Sequence, residues 1–246
     1  MNPFEKFLKK RRKKVQKVQF DGWGMRTMHE LPWSKGIDNE TFLKAAKDVK
    51  SFEFTKLAGI DGDTVDKLLW RHWIVSFSVR YVMEFTKERV LGLVECGVAY
   101  GLSAFFALRE LQHKKDKGQI DQFYMHLYDA WVPTKKYGEI SVELTERNLS
   151  EFAENVSYHK GLIPESLSVS PGSEKLVFLH IDLNSAPASL AAIDFFYPKL
   201  CDRGIILFDD YGHAKHIDTK KVADKFFADK NGILMPLPTG QAIFFR

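Results

Sequence analysis

The sequence predicts an α/β protein: a mostly parallel sheet, closed at its C-terminal end by an antiparallel hairpin and preceded by a helical cap. Three observations carry this. Short apolar runs at Val90–Val94, Leu176–Ile181 and Gly204–Phe208 are spaced widely enough for helical crossovers, as strands buried on both faces require. All three runs give way to acids, at Glu95, Asp182 and Asp209-Asp210. The last two strand-like segments, Ile233–Leu237 and Ala242–Phe245, are joined only by Pro238–Gln241, a link that makes them antiparallel neighbours.

Taken in order, residues 1–20 hold the basic block Lys9–Lys14, and residues 20–36 read as a Gly- and Pro-containing loop bearing Trp23, Met25, Met28, His29 and Trp33. That loop is expected either to cover a substrate as a flap or to anchor the arm. Residues 38–56 read as a helix capped by Asp38 or Asn39, and 64–86 as a long helix with Thr64 as N-cap. The long helix has Val65, Leu68, Leu69, Ile74, Val75, Val79, Val82 and Met83 at helical spacing, with Trp70, Arg71, His72 and Trp73 inside it. His72 is expected to be packed or on the surface rather than catalytic. Strand 90–95 is followed by helix 102–114, strand 122–128 ending at Asp129, helix 138–155 and a short strand 156–159. Strand 176–181, helix 186–200, strand 204–208, helix 217–230 and the terminal hairpin complete the chain. The division expected is a basic arm, flap loop and helical cap over 1–87 and a catalytic α/β domain over 88–246.

Composition sets the frame. The 246 residues are 45% hydrophobic and 28% charged, enough to bury a proper core. The formal net charge of +4 conceals an asymmetry: residues 1–17 carry eight basic side chains against one acid, leaving 28 basic and 31 acidic residues elsewhere. The basic arm is the one feature that suggests nucleic acid or an anionic surface as a partner, and such blocks are more often solvated tails. The only cysteines, Cys96 and Cys201, lie in apolar segments and are expected to be buried free thiols, with a cytoplasmic location. No apolar run of eighteen residues is present, so no transmembrane segment is expected.

The chemistry centres on Glu95-Cys-Gly97-Val-Ala99-Tyr-Gly101. A strand, a turn of small residues and a helix start open a ligand site at the C-terminal edge of a parallel sheet. Small residues let the backbone approach a ligand; Glu95 offers an acceptor and the helix start offers free N–H donors. The spacing is not the G-x-G-x-x-G of a dinucleotide site. Asp129, ending the second strand, suits a ribose hydroxyl pair, and Trp131 suits the face of an adenine. Asp182, Asp209 and Asp210 are expected at the same edge, and three carboxylates together call for a cation or shared protons. An all-oxygen set suits Mg²⁺, which would lower the pKa of a bound hydroxyl.

The glutamate-led small-residue turn resembles the first motif of class I S-adenosylmethionine (SAM)-dependent methyltransferases, with Ala99 at the middle glycine. Together with Asp129, Lys160-Gly161-x-x-Pro164-Glu-x-Leu167, His180-Ile-Asp182 and Gly204-Ile-Ile-Leu-Phe-Asp209-Asp210-Tyr211-Gly212, it is similar to the macrocin-type sugar O-methyltransferases over residues 88–246. The resemblance implies a Rossmann-like class I fold, SAM as methyl donor, Mg²⁺ and a sugar hydroxyl as acceptor. It implies Asp182, Asp209 and Asp210 as metal ligands, and Glu95, Gly97, Ala99, Gly101, Ser103, Asp129 and Trp131 as cofactor-binding residues. One position departs from the family. A second acid that is a candidate general base is Asn184 here, so either metal coordination suffices or Asp182 or His213 takes the proton. Two other readings stay open: a methyltransferase tethered by its basic arm to a nucleic acid or surface polysaccharide, and a non-catalytic SAM- or nucleoside-binding module. A homo-oligomer is compatible with all of them.

Overall fold

The computed structural model describes residues 57–60, 68–135, 138–167 and 175–246. The basic arm, the 20–36 loop, the 38–56 helix and the Thr64 cap lie outside the described residues. The element order is α1 (Leu69–Phe85), β1 (Val90–Cys96), α2 (Leu102–Asp116), β2 (Gln122–Asp129), α3 (Val142–Asn148), β3 (Val156–Lys160), β4 (Lys175–Ile181), α4 (Ala186–Phe196), β5 (Leu200–Phe208), α5 (Ile217–Phe227), β6 (Ile233–Pro236) and β7 (Ala242–Phe245).

The seven strands form one sheet in the order β3-β2-β1-β4-β5-β7-β6. The five strands β1 to β5 pair in parallel, and β7 inserts antiparallel between β5 and β6. The predicted mostly parallel sheet with its antiparallel hairpin is therefore the observed one. Strand order reverses between β1 and β4, the place where ligands bind open α/β sheets, outside the carboxyl ends of the strands.

Helices cover both faces. On one side, Ile74, Val75, Val79 and Val82 of α1 and Phe105, Leu108 and Leu111 of α2 pack on Leu91, Leu93, Phe178, Ile205 and Leu207. On the other, Ala192, Ile193 and Phe196 of α4 and Ala223 and Phe227 of α5 pack on Val94, Leu179, Ile181, Ile206 and Phe208. This is the alternation a strand imposes, with successive side chains on opposite faces. The apolar stripe read from the sequence of α1 thus joins the core of the sheet, and His72 is packed there, 5% exposed and stacked on Phe106 at 4.9 Å.

Several boundaries differ from the sequence expectation. The segment 138–155 is not one helix: α3 begins at Ser141, whose side chain accepts from the Leu144 N–H at 3.2 Å, and it gives way to a 3₁₀ turn at Ser150–Asn155. The helix ends at Leu149, whose φ of −106° is non-helical, and the 3₁₀ stretch kinks again at Phe152 (φ −114°); both side chains are buried in the core. Helix α4 stops at Phe196, and Tyr197-Pro-Lys199 tightens into a 3₁₀ turn, since proline removes a helix donor. Cys96 is buried, but Cys201 is only half-buried, and both are free thiols. Among the described residues, no helix is long and apolar enough to cross a membrane.

Candidate active site

The loop after β1 is folded by a run of left-handed residues. Gly97, Ala99 and Gly101 have φ of +89°, +48° and +87°, so the three small residues mark the three positions of the turn where a larger side chain is strained. Gly97 also passes against the end of β4: a Cβ there would lie 2.1 Å from the Asp182 carbonyl oxygen. The strand ends are laced together by Gly97 N–H to Tyr128 O (2.8 Å), Asp182 N–H to Cys96 O (2.8 Å) and Asp209 N–H to Ile181 O (3.0 Å). These bonds bring the acids that follow β4 and β5 to the edge of the motif loop.

Asp129 grips that loop from beside it. Its Oδ2 accepts from the N–H groups of Val98 (2.7 Å) and Ala99 (2.9 Å), and its Oδ1 accepts from Trp131 N–H (2.7 Å). Oδ2 is filled by two donors, which leaves lone-pair capacity for a ribose hydroxyl on Oδ1 only. Trp131 is 3% exposed, and its Nε1 donates to Ala99 O (3.2 Å) and Thr145 Oγ1 (2.9 Å). Through these bonds its indole braces the loop, as a buried indole N–H takes a partner. Ser103 is half-buried in the first turn of α2.

The second part of the site follows from strand periodicity. On the α1-facing side, β1 presents Leu91, Leu93 and Glu95, β4 presents Phe178 and His180, and β5 presents Ile205 and Leu207 before Asp209. Each row is apolar until its last member, which is polar. Glu95 and His180 are paired in the parallel register, and His180 Nδ1 donates to Glu95 Oε1 at 3.2 Å. His180 Nε2 lies 3.7 Å from Asp209 Oδ1, which also accepts from Gln241 Nε2 at 2.8 Å. One carboxylate oxygen from each of Asp182, Asp209 and Asp210 lies within 4.8 Å of the others, so the three predicted acids are brought together.

A cation from the first turn of α1 enters this group. Arg71, 5% exposed, donates from Nη2 to Asp209 Oδ2, to the Asp209 carbonyl at 2.5 Å and to Asp210 Oδ1 at 3.3 Å. Like charges at such separations repel by about 3–4 kcal/mol per pair at an effective dielectric near 20, a repulsion that a cation or a held proton relieves. Sequence reasoning passed over Arg71, Gln241 and Thr145. The signal for Arg71 was present: it lies three and four residues before Ile74 and Val75, a charge on the apolar stripe itself. His213 caps the 3₁₀ turn after Asp210, its Nδ1 accepting from Lys215 N–H at 3.2 Å, and Asn184 is exposed beyond Asp182.

Ionisation follows from these contacts. Burial, then the Asp209 and Asp210 carboxylates, push Asp182 well above the usual carboxylate range. Burial alone would also raise Asp209, but Arg71 and His180 hold it well below that range. Burial opposes a charge on His180, yet Asp209 and Glu95 outweigh it and push the imidazole up to about 10. Burial raises Glu95 in spite of its hydrogen bond from His180. His72 is pushed down to about 3 by burial. Below pH 6.5 the unfolded chain therefore takes up a proton that folded His72 refuses, and stability falls as the pH drops toward 3. Replacing His72 by Phe is expected to remove this loss, a gain of about 2 kcal/mol at pH 5 relative to pH 7, read by urea unfolding at the two values.

A small-residue loop at the switch point and an acid cluster on the same edge identify a ligand-handling site, and residues 94–211 match a family model described as a methyltransferase domain. The matched segment is a methyltransferase domain. Among solved structures, the chain is similar to the O-methyltransferase NovP, with 18% identity over 72% of this chain and 80% of that one and a TM-score of 0.59. It is also similar to CalS11, a TDP-rhamnose 3′-O-methyltransferase of calicheamicin biosynthesis, with 14% identity over 82% and 93% of the two chains and a TM-score of 0.54. At these identities the likeness is one of fold. No curated protein matches the chain in sequence.

The residues of the methyltransferase domain fit the groups such a domain uses. Glu95 Oε2 is buried without a hydrogen-bond partner, an acceptor that a donor on a bound SAM would satisfy. The three acids supply the all-oxygen donor set that a hard divalent cation takes, one oxygen of each lying within 4.8 Å of the others.

Proposed function

We propose that this methyltransferase domain transfers the methyl group of SAM to a hydroxyl of a sugar or glycosylated small molecule, with Mg²⁺ held by Asp182, Asp209 and Asp210. The convergence of these acids on the edge that carries the Glu95–Gly101 loop is the observation that supports it. NovP and CalS11 are O-methyltransferases by name, and CalS11, acting on TDP-rhamnose, favours a sugar hydroxyl. Both cysteines are free, which suits a cytoplasmic setting.

In this reading Glu95, Gly97, Ala99, Gly101, Ser103 and Asp129 hold and orient SAM, with Trp131 and Thr145 fixing the loop from below. The bound Mg²⁺ would act as a Lewis acid that makes the acceptor hydroxyl more acidic. Asn184 has no base to offer, so either the metal alone makes the hydroxyl acidic enough or Asp182 or His213 takes the acceptor proton. The residues chiefly position donor and acceptor for in-line transfer, the contribution proximity makes in a two-substrate reaction. Residues 1–87 would supply the acceptor pocket.

Calorimetry of SAM and S-adenosylhomocysteine, with and without Mg²⁺, tests the reading. Binding of both ligands is expected, and binding of neither would refute it. Replacing Glu95 by Gln is expected to weaken SAM binding about tenfold or more, as losing a charged acceptor costs about 1.5–3 kcal/mol.

A further inference from the structure

Both carboxylate oxygens of Asp209 are engaged by the protein's own donors. Oδ1 takes Gln241 Nε2 and faces His180 Nε2, while Oδ2 and the main-chain carbonyl both take Arg71 Nη2. The same Nη2 reaches Asp210 Oδ1. A single guanidinium nitrogen therefore sits where the oxygens of two adjacent acids converge, which is where a divalent ion sharing those oxygens would lie. The Arg71 backbone is tied to the same group, its carbonyl accepting at 3.4 Å from the Gln241 Nε2 that also donates to Asp209 Oδ1, so a shift of this side chain is felt in the first turn of α1. Arginine suits such a post: its charge is permanent and it offers several donors to neighbouring carboxylates.

We infer that Arg71 is a built-in counter-ion of the acid cluster which a divalent cation must displace from Asp209 and Asp210 to bind. The inference rests on the metal-binding part of the proposed function and deepens it. Arg71 keeps the site neutralised and folded before loading, and its withdrawal couples metal binding to the first turn of α1. The direction of the effect separates this from a merely structural role. Losing a supporting residue weakens ligand binding, whereas losing a competitor strengthens it.

The test is Mn²⁺ binding, followed by electron paramagnetic resonance of the free ion, to the full chain and its Arg71→Met, Arg71→Lys and Asp209→Asn variants. Arg71→Met is expected to bind Mn²⁺ at least tenfold more tightly than the parent. Arg71→Lys, which keeps a charge but not the guanidinium fork, should fall between them, and Asp209→Asn should lose the site. Mn²⁺ should also raise the melting temperature of Arg71→Met more than that of the parent. If Arg71→Met folds only with Mn²⁺ present, that too supports the inference, and Arg71→Lys then carries the affinity comparison. Equal or weaker binding in both Arg71 variants, with the parent binding normally, would overturn this inference alone. No binding to any chain would overturn the metal reading and this inference together, while SAM calorimetry on the same samples still tests the methyl donor.

Discussion

On the proposed metal-assisted mechanism, replacing Asp209 by Asn is expected to lower methyl transfer about a thousandfold, since a metal's charge stabilisation is worth several kcal/mol and each 1.36 kcal/mol is tenfold in rate. Asp209 is where the cluster's interactions meet: Arg71, His180 and Gln241 all address its carboxylate. The amide cannot hold the negative charge that keeps Arg71 and His180 balanced, and its NH₂ group would face donors. Stability should therefore fall as well, because a buried cation left without its anion is costly. The SAM loop is held by Asp129, Trp131 and Thr145, none of which depends on Asp209, so the affinity for SAM should change only a few-fold. Rate assays with and without Mg²⁺, beside SAM calorimetry, separate these effects. Full activity with an unchanged Mg²⁺ response would exclude the acids from the mechanism.

Replacing Gly97 by Ala is the second large effect. The added Cβ would meet backbone, the Asp182 carbonyl at 2.1 Å, and no rotamer can relieve that. The φ of +89° adds strain of its own. The ends of β1 and β4 must then move apart, displacing the Gly97 loop from Asp182. A stability loss on the order of 3 kcal/mol and loss of detectable methyl transfer are expected together. Ala99→Gly is the contrasting case. Its φ of +48° already strains an alanine, so relief of about 1 kcal/mol opposes the greater chain entropy of glycine, and the net change should stay within about 1 kcal/mol. Urea unfolding of the two variants checks both. A Gly97→Ala protein as stable as the parent would show that the β1–β4 edge is looser than the structure has it.

The parallel sheet, the hairpin that closes it and the convergence of Asp182, Asp209 and Asp210 were all legible in the sequence. Apolar runs of strand length, crossover-length spacers and acids at the run ends are local patterns, and the parallel topology carries those ends to one edge without further information. Gly97, Ala99 and Gly101 were legible for the same reason, since a positive φ leaves its mark on the residue that adopts it. What the tertiary structure decided is how those residues are engaged. Arg71 reaches Asp209 across 138 positions of chain, and nothing local to either residue names the other. Asp129 spends its oxygens on the backbone of the loop beside it, and Trp131 turns its ring inward to Thr145, because buried N–H groups take the nearest acceptors that packing supplies. The helix expected over 138–155 ends at Leu149 and kinks again at Phe152, because placing these side chains in the core outweighs the weak preference for continuing a helix. Types and positions of chemical groups are set by the chain order; their partners are set by which buried groups must satisfy one another once strands and helices have closed around them.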